Sequence, residues 1–374
     1  LMHVGDTRTL GGREGAASSD GLSKELARLG LQLRRLKTGT PPRLHAGSID
    51  TSRLDPQAGD VDARPFSFRT RRFAPPSHLC WLAYTTPRTH AIVRENLHRS
   101  PLYAGSIAGQ GPRYCPSIED KVVRFADRDR HLLFLEPEGL ETHEVYVNGI
   151  STSLPAEVQE AMVRSVPGLE RAVLTRYGYA VAYARVPSWQ VGSTLACTAI
   201  DGLSLAGQIL GTSGYEEAAA QGLVAAVNAV RLLGGDDPWL PGRSEAYIGV
   251  LIDDLATKDI TEPYRMFTSR AEHRLELRCD NAETRLAGAA RDLGLLPGAE
   301  LARLRRRNEA HRAALDWLSG WRLPDPAGGP ATTAAALLRR PGLDLEALFA
   351  LADDRGACEG VWRRRLDLDD DDDL

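Results

Sequence analysis

Three features of the sequence predict a mixed α/β body followed by a helical region. Residues 205–222, LAGQILGTSGYEEAAAQG, read as an apolar strand, a glycine turn and the start of an alanine-rich helix. Between residues 79 and 183, short strand-like runs alternate with helical periodicity. Beyond Pro238 and Pro241 the pattern becomes helical, beginning with SEAYIGVLIDDL at 244–255, and the strands are expected to stop. In the glycine turn, Gly207, Gly211 and Gly214 allow backbone conformations and close approaches that a side chain would block. The helix that follows offers unpaired N–H groups and a positive dipole end, a place for a phosphate or an electron-rich ring. The same turn also suits any tightly packed strand-to-helix junction.

Composition narrows the function classes. The 374 residues are 43% hydrophobic and 26% charged, enough for two or three domains. No segment approaches the roughly 20 apolar residues of a membrane span, and residues 1–4 lack the features of a secretion signal, so the expected compartment is the cytoplasm. Cys80, Cys115, Cys197, Cys279 and Cys358 form no CxxC pair, which argues against zinc or a disulfide framework. No metal site is expected. A net charge of -4 gives no overall pull toward nucleic acid, so such a partner would have to meet a local basic patch.

In chain order, residues 1–5 are a short apolar piece and GGREG follows at 11–15; the opening reads as a chain entered midway. Leu22, Leu26, Leu29 and Leu33 predict a helix over 21–33, with Ser19 or Asp20 as N-cap. KTGTPPR at 37–43 reads as a stiff loop whose Lys37 and Arg43 are suited to a phosphate or acidic group. Residues 44–76 mark a change of domain, with a short strand expected at 65–68. Strands are expected at 79–85, 131–136, 144–148, 171–175 and 179–183, and helices at 89–97, 155–164 and 215–233.

Cys115 lies in GPRYCPSIEDK, after Arg113 and just before a helix start. A thiol beside a cation and a helix N-terminus ionises more readily, which makes Cys115 a candidate nucleophile; a half-buried packing cysteine is the alternative. In 262–278, EPYRMFTSRAEHRLELR, cations recur at three- to five-residue spacing, so most could share one helical face toward phosphates or simply form a solvated helix. A second helix with a basic run is expected over 301–317, and the Asp run at 369–373 is too charged to fold.

Taken together, KTGTPPR, GPRYCPSIEDK with VVRFADR, FLEPEG, NGISTSLP, GQILGTSGYEEAAAQG, EPYRMFTSRAEHRL and DNAETRL resemble the signature stretches of the MnmG (GidA) family, in order over residues 1 to about 300. The resemblance implies an FAD-dependent tRNA-modifying enzyme that works with the GTPase MnmE. Such enzymes add a carboxymethylaminomethyl or aminomethyl group at carbon 5 of the wobble uridine, using NADH and a folate-derived methylene supplied through the partner. It also implies a homodimer, a heterotetramer with MnmE, and the cytoplasm.

The implied fold is an α/β flavoprotein of the glutathione-reductase type. Its FAD domain would be built from 1–47 and 172–242 around an inserted α/β, NAD-binding-like domain at 48–171, and 243–374 would open a truncated helical domain with an acidic tail. Carried over by resemblance, the FAD contacts are Ser19, Thr38, Gly39, Thr40, Gly207, Gln208, Gly211, Thr212 and Glu217. The nicotinamide dinucleotide would meet Gly111, Pro112, Arg113, Tyr114, Cys115, Pro116, Ser117, Ile118, Glu119, Asp120, Lys121, Val122, Val123, Arg124 and Phe125. Cys115 resembles the cysteine of covalent chemistry at the uridine, and Lys121, Arg265, Arg270 and Arg274 are weaker expectations for tRNA contact.

Besides the shortened helical region that ends in the Asp run, the chain departs from the family pattern in three ways. It has no GxGxxG fingerprint, it carries Leu210 where GQINGT is usual, and it has Ala182 where an acidic residue is usual. It therefore reads as a fragment or truncated product. The alternatives are a non-catalytic or incomplete chain binding tRNA or a partner without flavin, and a TrmFO-like folate-dependent tRNA uridine methyltransferase.

Overall fold

The computed structural model describes residues 1–351 apart from Asp62, Arg64, Phe68, Arg71, Arg72, Pro75, Pro76, Ser77, Ser106 and Cys115. Strands β1 (Met2–Val4) and β2 (Thr7–Thr9) form a hairpin that turns at Gly5, φ +51°. Helix α1 (Asp20–Arg28) is shorter than the leucine spacing predicts. Gly30 at φ +92° ends it, with Gly30 N–H donating to Ala27 and Leu31 N–H to Leu26, so Leu33 falls outside. Strand β3 (Arg34–Thr40) contains the KTGT stretch, which is therefore strand and not loop; two prolines then lead into β4 (Arg43–His45).

Next come β5 (Asp55–Gln57) and β6 (Cys80–Tyr84). Helix α2 (Pro87–Glu95) starts in a Thr86–Thr89 capping box and α3 (Ile118–Arg124) is capped by Ser117. They are followed by β7 (Leu132–Pro137), β8 (Glu144–Asn148), α4 (Ala156–Arg164), β9 (Leu174–Arg176) and β10 (Tyr179–Arg185). Of the strand expected at 65–68, Phe68 lies outside the described residues and the other three positions form no strand.

The strands make two antiparallel sheets. One has four strands, ordered β2-β1-β10-β3, with Thr40, Gly39 and Thr38 opposite Tyr179, Ala180 and Val181. The other has six, ordered β5-β6-β7-β8-β4-β9. Leu133 and Leu135 of β7 and Val145 and Val147 of β8 alternate inward and pack with Val93, Ile118, Val122, Val158 and Met162 of α2, α3 and α4.

Helix α5 (Tyr215–Gly234) follows the glycine turn and α6 (Tyr247–Thr257) succeeds it. Val224 and Ala225 of α5 join Leu26, Val186, Leu195, Leu205 and Leu210 in a second core. The apolar run before α5 is a 3-10 turn, Gly207–Leu210, and not the expected strand: Gly207 and Gly211 flank it at φ +85° and +90°, which extended backbone does not allow.

Two compact units emerge. One comprises residues 1–241 with 248–270, and the other 242–247 with the chain from 271 onward. In the second, α7 (Ala282–Asp292) and α8 (Gly298–Gly320) are followed by a small hairpin of β11 (Arg322–Leu323) and β12 (Thr332–Thr333), so strands do recur after residue 241. Helices α9 (Ala334–Leu337) and α10 (Leu345–Ala350) close a core of Leu318, Leu323, Leu337 and Leu348 under stacked Trp317 and Trp321.

Candidate functional site

The glycine turn is stabilised from inside. Gly207 N–H donates to Gln221 Oε1 at 2.9 Å, and Gln221 Nε2 donates to Thr212 Oγ1 at 2.9 Å, so a side chain from the second turn of α5 holds both ends of the turn. Gly211 has no room for a side chain: a Cβ would stand 3.1 Å from Arg185 Cδ at a φ that L residues avoid. Thr212 bridges Tyr264 in parallel, with Tyr264 N–H donating to Gly211 O at 2.9 Å and Ser213 N–H to Tyr264 O at 3.1 Å. This pairing brings the EPYRMF stretch against the turn.

Glu217 decides the electrostatics at the start of α5. Its carboxylate is buried and folded back over the helix start, where a Cβ on Gly214 would lie 1.6 Å from Oε2. Oε1 accepts from Met266 N–H at 2.8 Å and pairs with Arg265 Nε at 3.2 Å, whereas Oε2 is buried with no partner. The helix terminus thus already holds a carboxylate, which would repel a phosphate there and leaves one buried acceptor oxygen unused.

Three stretches distant in sequence converge here. Lys37 N–H donates to Gln110 O at 3.1 Å, laying the segment before Gly111 along β3. Gly109 permits that approach, since at φ +102° a Cβ would come within 2.4 Å of Arg35 O. Tyr114 then reaches the turn: its hydroxyl hydrogen-bonds Ser213 Oγ, its ring meets Phe267 edge-on at 5.4 Å, and the Arg265 guanidinium lies 5.8 Å from its centroid. Tyr183 and Arg185, two residues apart on β10, bring further buried polar atoms. Tyr183 OH and Arg185 Nε and Nη1 have no partner. Burial, and then Tyr114, push the Tyr183 phenol above its ordinary range; burial also lowers Arg185, opposed by Asp259.

Other expected residues are placed separately. Ser19 occupies the N-cap position of α1, exposed and without a side-chain cap bond. Thr38 and Gly39 are half-buried in β3, and Thr40 Oγ1 accepts from Arg43 Nη1 at 2.7 Å. Arg43 is not available to a phosphate: it also binds Pro41 O and Glu138 and stacks over Tyr146. Lys37 Nζ donates to Leu102 O at 3.2 Å, and Gln208 is exposed.

In the 111–125 segment, Gly111, Pro112 and Pro116 are half-buried, and Arg113 pairs with Glu262 at 3.1 Å. Cys115 lies outside the described residues. Ser117 caps α3 and Ile118 and Val122 are core residues, while Val123 and Phe125 are exposed and Arg124 pairs with Asp120. Glu119 is wholly buried, its Oε1 accepting from Ser100 Oγ, Thr152 Oγ1 and Ser153 N–H at 2.7, 2.9 and 3.2 Å. Lys121 Nζ donates to Gly149 O at 2.7 Å.

The basic stretch at 262–278 is not the helix its spacing suggests. Thr268–Arg270 is a short 3-10 helix and 272–276 a run of turns, with no α-helix among them. Arg270 lies over the Tyr264 ring, 3.9 Å from Asp254 Oδ2, and Tyr264 OH donates to the same buried oxygen at 2.8 Å. Arg265 is paired inward with Glu217, Arg274 is exposed, and without a helix over this stretch the expected common helical face does not form. Sequence alone missed Tyr183, Arg185, Ser213 and Asp254. The available signal was the alternation of Tyr183 and Arg185 with alanines along one strand.

The profile described as Glucose inhibited division protein A matches residues 1–237. This chain belongs to that family. Over 341 residues it is 52% identical to the Rhodopirellula baltica protein named tRNA uridine 5-carboxymethylaminomethyl modification enzyme MnmG, covering 91% of this chain and 52% of that protein. A Geobacter metallireducens protein of the same name is 50% identical over 381 residues, covering 98% of this chain and 61% of the relative. The fold is that of the Aquifex aeolicus GidA crystal structure: TM-score 0.85, 43% identity, 98% of this chain and 60% of that one. The chain therefore spans about half to three fifths of the length of these relatives. Among the described residues, no helix is long and apolar enough to cross a membrane and no cluster of ligands suited to a metal occurs.

Proposed function

We propose that this chain carries the flavin- and substrate-facing part of a tRNA-modifying enzyme that installs a carboxymethylaminomethyl or aminomethyl group at carbon 5 of the wobble uridine. The observation that carries the reading is the convergence of the KTGT strand, the Tyr114 segment and the glycine turn around buried polar atoms left without partners, namely Glu217 Oε2 and Tyr183 OH. The relatives' printed names supply the substrate class.

An FAD ring, which offers both an N–H donor and carbonyl acceptors, fits that set. Glu217 would accept the N–H and Tyr183 would donate to a carbonyl, beside a turn whose positive-φ glycines keep it compact. When bound, FAD supplies the redox chemistry between NADH and a folate-derived one-carbon unit. The chain's own residues supply the rest. Gln221 fixes the turn, Arg265 and Met266 hold the Glu217 carboxylate in place, and Tyr114 closes the side toward the 111–125 segment, the proposed nicotinamide dinucleotide stretch.

Cys115 is proposed to act on the base. Its thiolate pair would form an S–C6 bond while the C5=C6 pair moves to carbon 5, making carbon 5 nucleophilic. Carbon 5 would then attack the folate-derived methylene, held as an iminium whose C=N pair passes to nitrogen, and transfer of the carbon-5 proton to a base would re-form C5=C6 and expel the thiolate. Lys121, Arg265, Arg270 and Arg274 are proposed to face tRNA, with MnmE as partner, a homodimeric assembly and the cytoplasm as setting. The test is mass analysis of wobble uridine in tRNA from a strain lacking the native enzyme and supplied with this chain. Cys115→Ser should bind flavin and tRNA yet leave the uridine unmodified; undiminished modification would refute the nucleophile.

A further inference from the structure

A polar cavity lies between the β1–β2 hairpin and residues 98–104, and none of its lining residues belongs to the glycine turn. Its volume is about 130 Å³ and its walls include His3, Asp6, Arg8, His98 and Arg99. At roughly 30 Å³ per water it has room for one tetrahedral oxyanion with its contacts. The walls are fixed to each other through Ser153: Gly5 N–H donates to Ser153 O at 2.7 Å, Leu102 N–H to Ser153 Oγ at 3.1 Å, and Ser100 Oγ lies 3.0 Å from Ser153 Oγ. Pro155 closes the hairpin side, where a Cβ on Gly5 would stand 2.8 Å from Pro155 Cγ. The cavity is therefore preformed.

Charge selects its occupant. His3 is 95% buried, since only 5% of its surface is exposed, and its imidazole has no hydrogen-bond partner although it lines the cavity. Arg8 and His98 also lack partners among the described residues, whereas Arg99 is held by Glu157 and Asn96. Asp6 is the acidic side chain in the lining, and Glu119, behind Ser100, has one oxygen committed to three donors. Burial and the neighbouring Arg8 charge hold the His3 imidazole below its ordinary range, and an anion between the two groups would offset that repulsion.

We infer that this cavity is a binding site for a phosphate group, with His3 and Arg8 as its principal donors. The Arg8 guanidinium and the His3 imidazole are cross-strand neighbours on the hairpin wall, and with His98 on the other wall they offer a charge-assisted bond and ring N–H groups to a tetrahedral oxyanion. The inference is independent of the flavin reading.

The test is calorimetric titration of the full chain with inorganic phosphate, repeated for Arg8→Ala and His3→Gln, each checked for an unchanged melting temperature without phosphate. Saturable binding that weakens about tenfold or more in each variant is expected, the effect of losing one charge-assisted bond. Should His3→Gln fail to fold, exposed Arg8 still decides: phosphate should slow phenylglyoxal modification of Arg8, mapped by mass spectrometry, and leave Arg13 unaffected. Displacement of phosphate by a short RNA would assign the group to a nucleic-acid backbone, and displacement only by phosphomonoesters would assign it to a small molecule; both support the site. Absence of saturable binding, or binding unchanged in Arg8→Ala, would overturn it.

Discussion

Single residues matter most where one atom too many, or one proton too many, is decisive. Gly109 is the sharpest steric case, combining positive φ with backbone 2.4 Å from a prospective Cβ. Gly109→Ala should cost at least about 1–3 kcal/mol of backbone strain and separate the Tyr114 segment from β3. A melting curve checks the first effect, and near-ultraviolet circular dichroism of the Tyr114 environment checks the second. His90 and His131 are the protonation case. Their rings lie 5.0 Å apart, His90 Nε2 shares a 2.8 Å bond with Thr85 Oγ1, and His131 Nε2 is buried without a partner. Burial holds both below the ordinary imidazole range, and for His131 the charges of His90, Lys121 and Arg128 add to the effect. The folded state keeps the neutral rings. Their contribution is therefore complete above the unfolded pKa near 6.5 and is lost as pH falls below it, because the unfolded chain binds protons first. Denaturant midpoints should be level from about pH 7 to 8 and decline from about 6.5 toward 5, less steeply in His131→Gln; an identical decline in the variant would contradict this assignment.

At the scale of elements, α3 shows how a buried carboxylate anchors a helix to the loop beside it. Glu119→Ala would strand Ser100 Oγ, Thr152 Oγ1 and Ser153 N–H in the interior, and should cost about 2–4 kcal/mol. Glu119→Gln, which keeps the accepting oxygen, should cost less, and chemical denaturation of the two variants provides the comparison. None of this was legible in sequence, since Glu119 in a helix start reads as a dipole-stabilising surface acid. What could be read were elements whose local signals agree with their packing. Helix α5 begins and ends where its alanines and flanking glycines place it, and Ser117 caps α3 as its position before IEDK suggests. Failures arose where long-range contacts outweighed local pattern. The run 207–210 turns because positive-φ glycines enclose it, and EPYRMF is extended because Thr212 and Tyr264 pair across more than fifty residues. The spacing of Arg265, Arg270 and Arg274 implied a shared face, but Glu217 and Asp254 draw two of them inward, and no periodicity argument reveals such partners. The glycine turn was recognisable as a site; the carboxylate inside it, which changes the ligand group it can accept, was not.

At the scale of the whole molecule, each unit carries its own core. Leu348 is fully buried in the second unit with Leu318 and Leu337, so Leu348→Ala should remove about 2–5 kcal/mol there and lower one calorimetric transition while leaving the other in place. The central claim concerns the first unit: its glycine turn, with Glu217 and Tyr183, holds a flavin. The most direct measurement is the visible absorption spectrum of the chain titrated with FAD and then NADH, in parallel with Glu217→Ala. The account predicts a saturable shift of the flavin bands that weakens by an order of magnitude or more in the variant, consistent with loss of a buried charge-assisted acceptor, and bleaching of the bound flavin by NADH. No spectral shift at any FAD concentration, or equal binding by the variant, would contradict it.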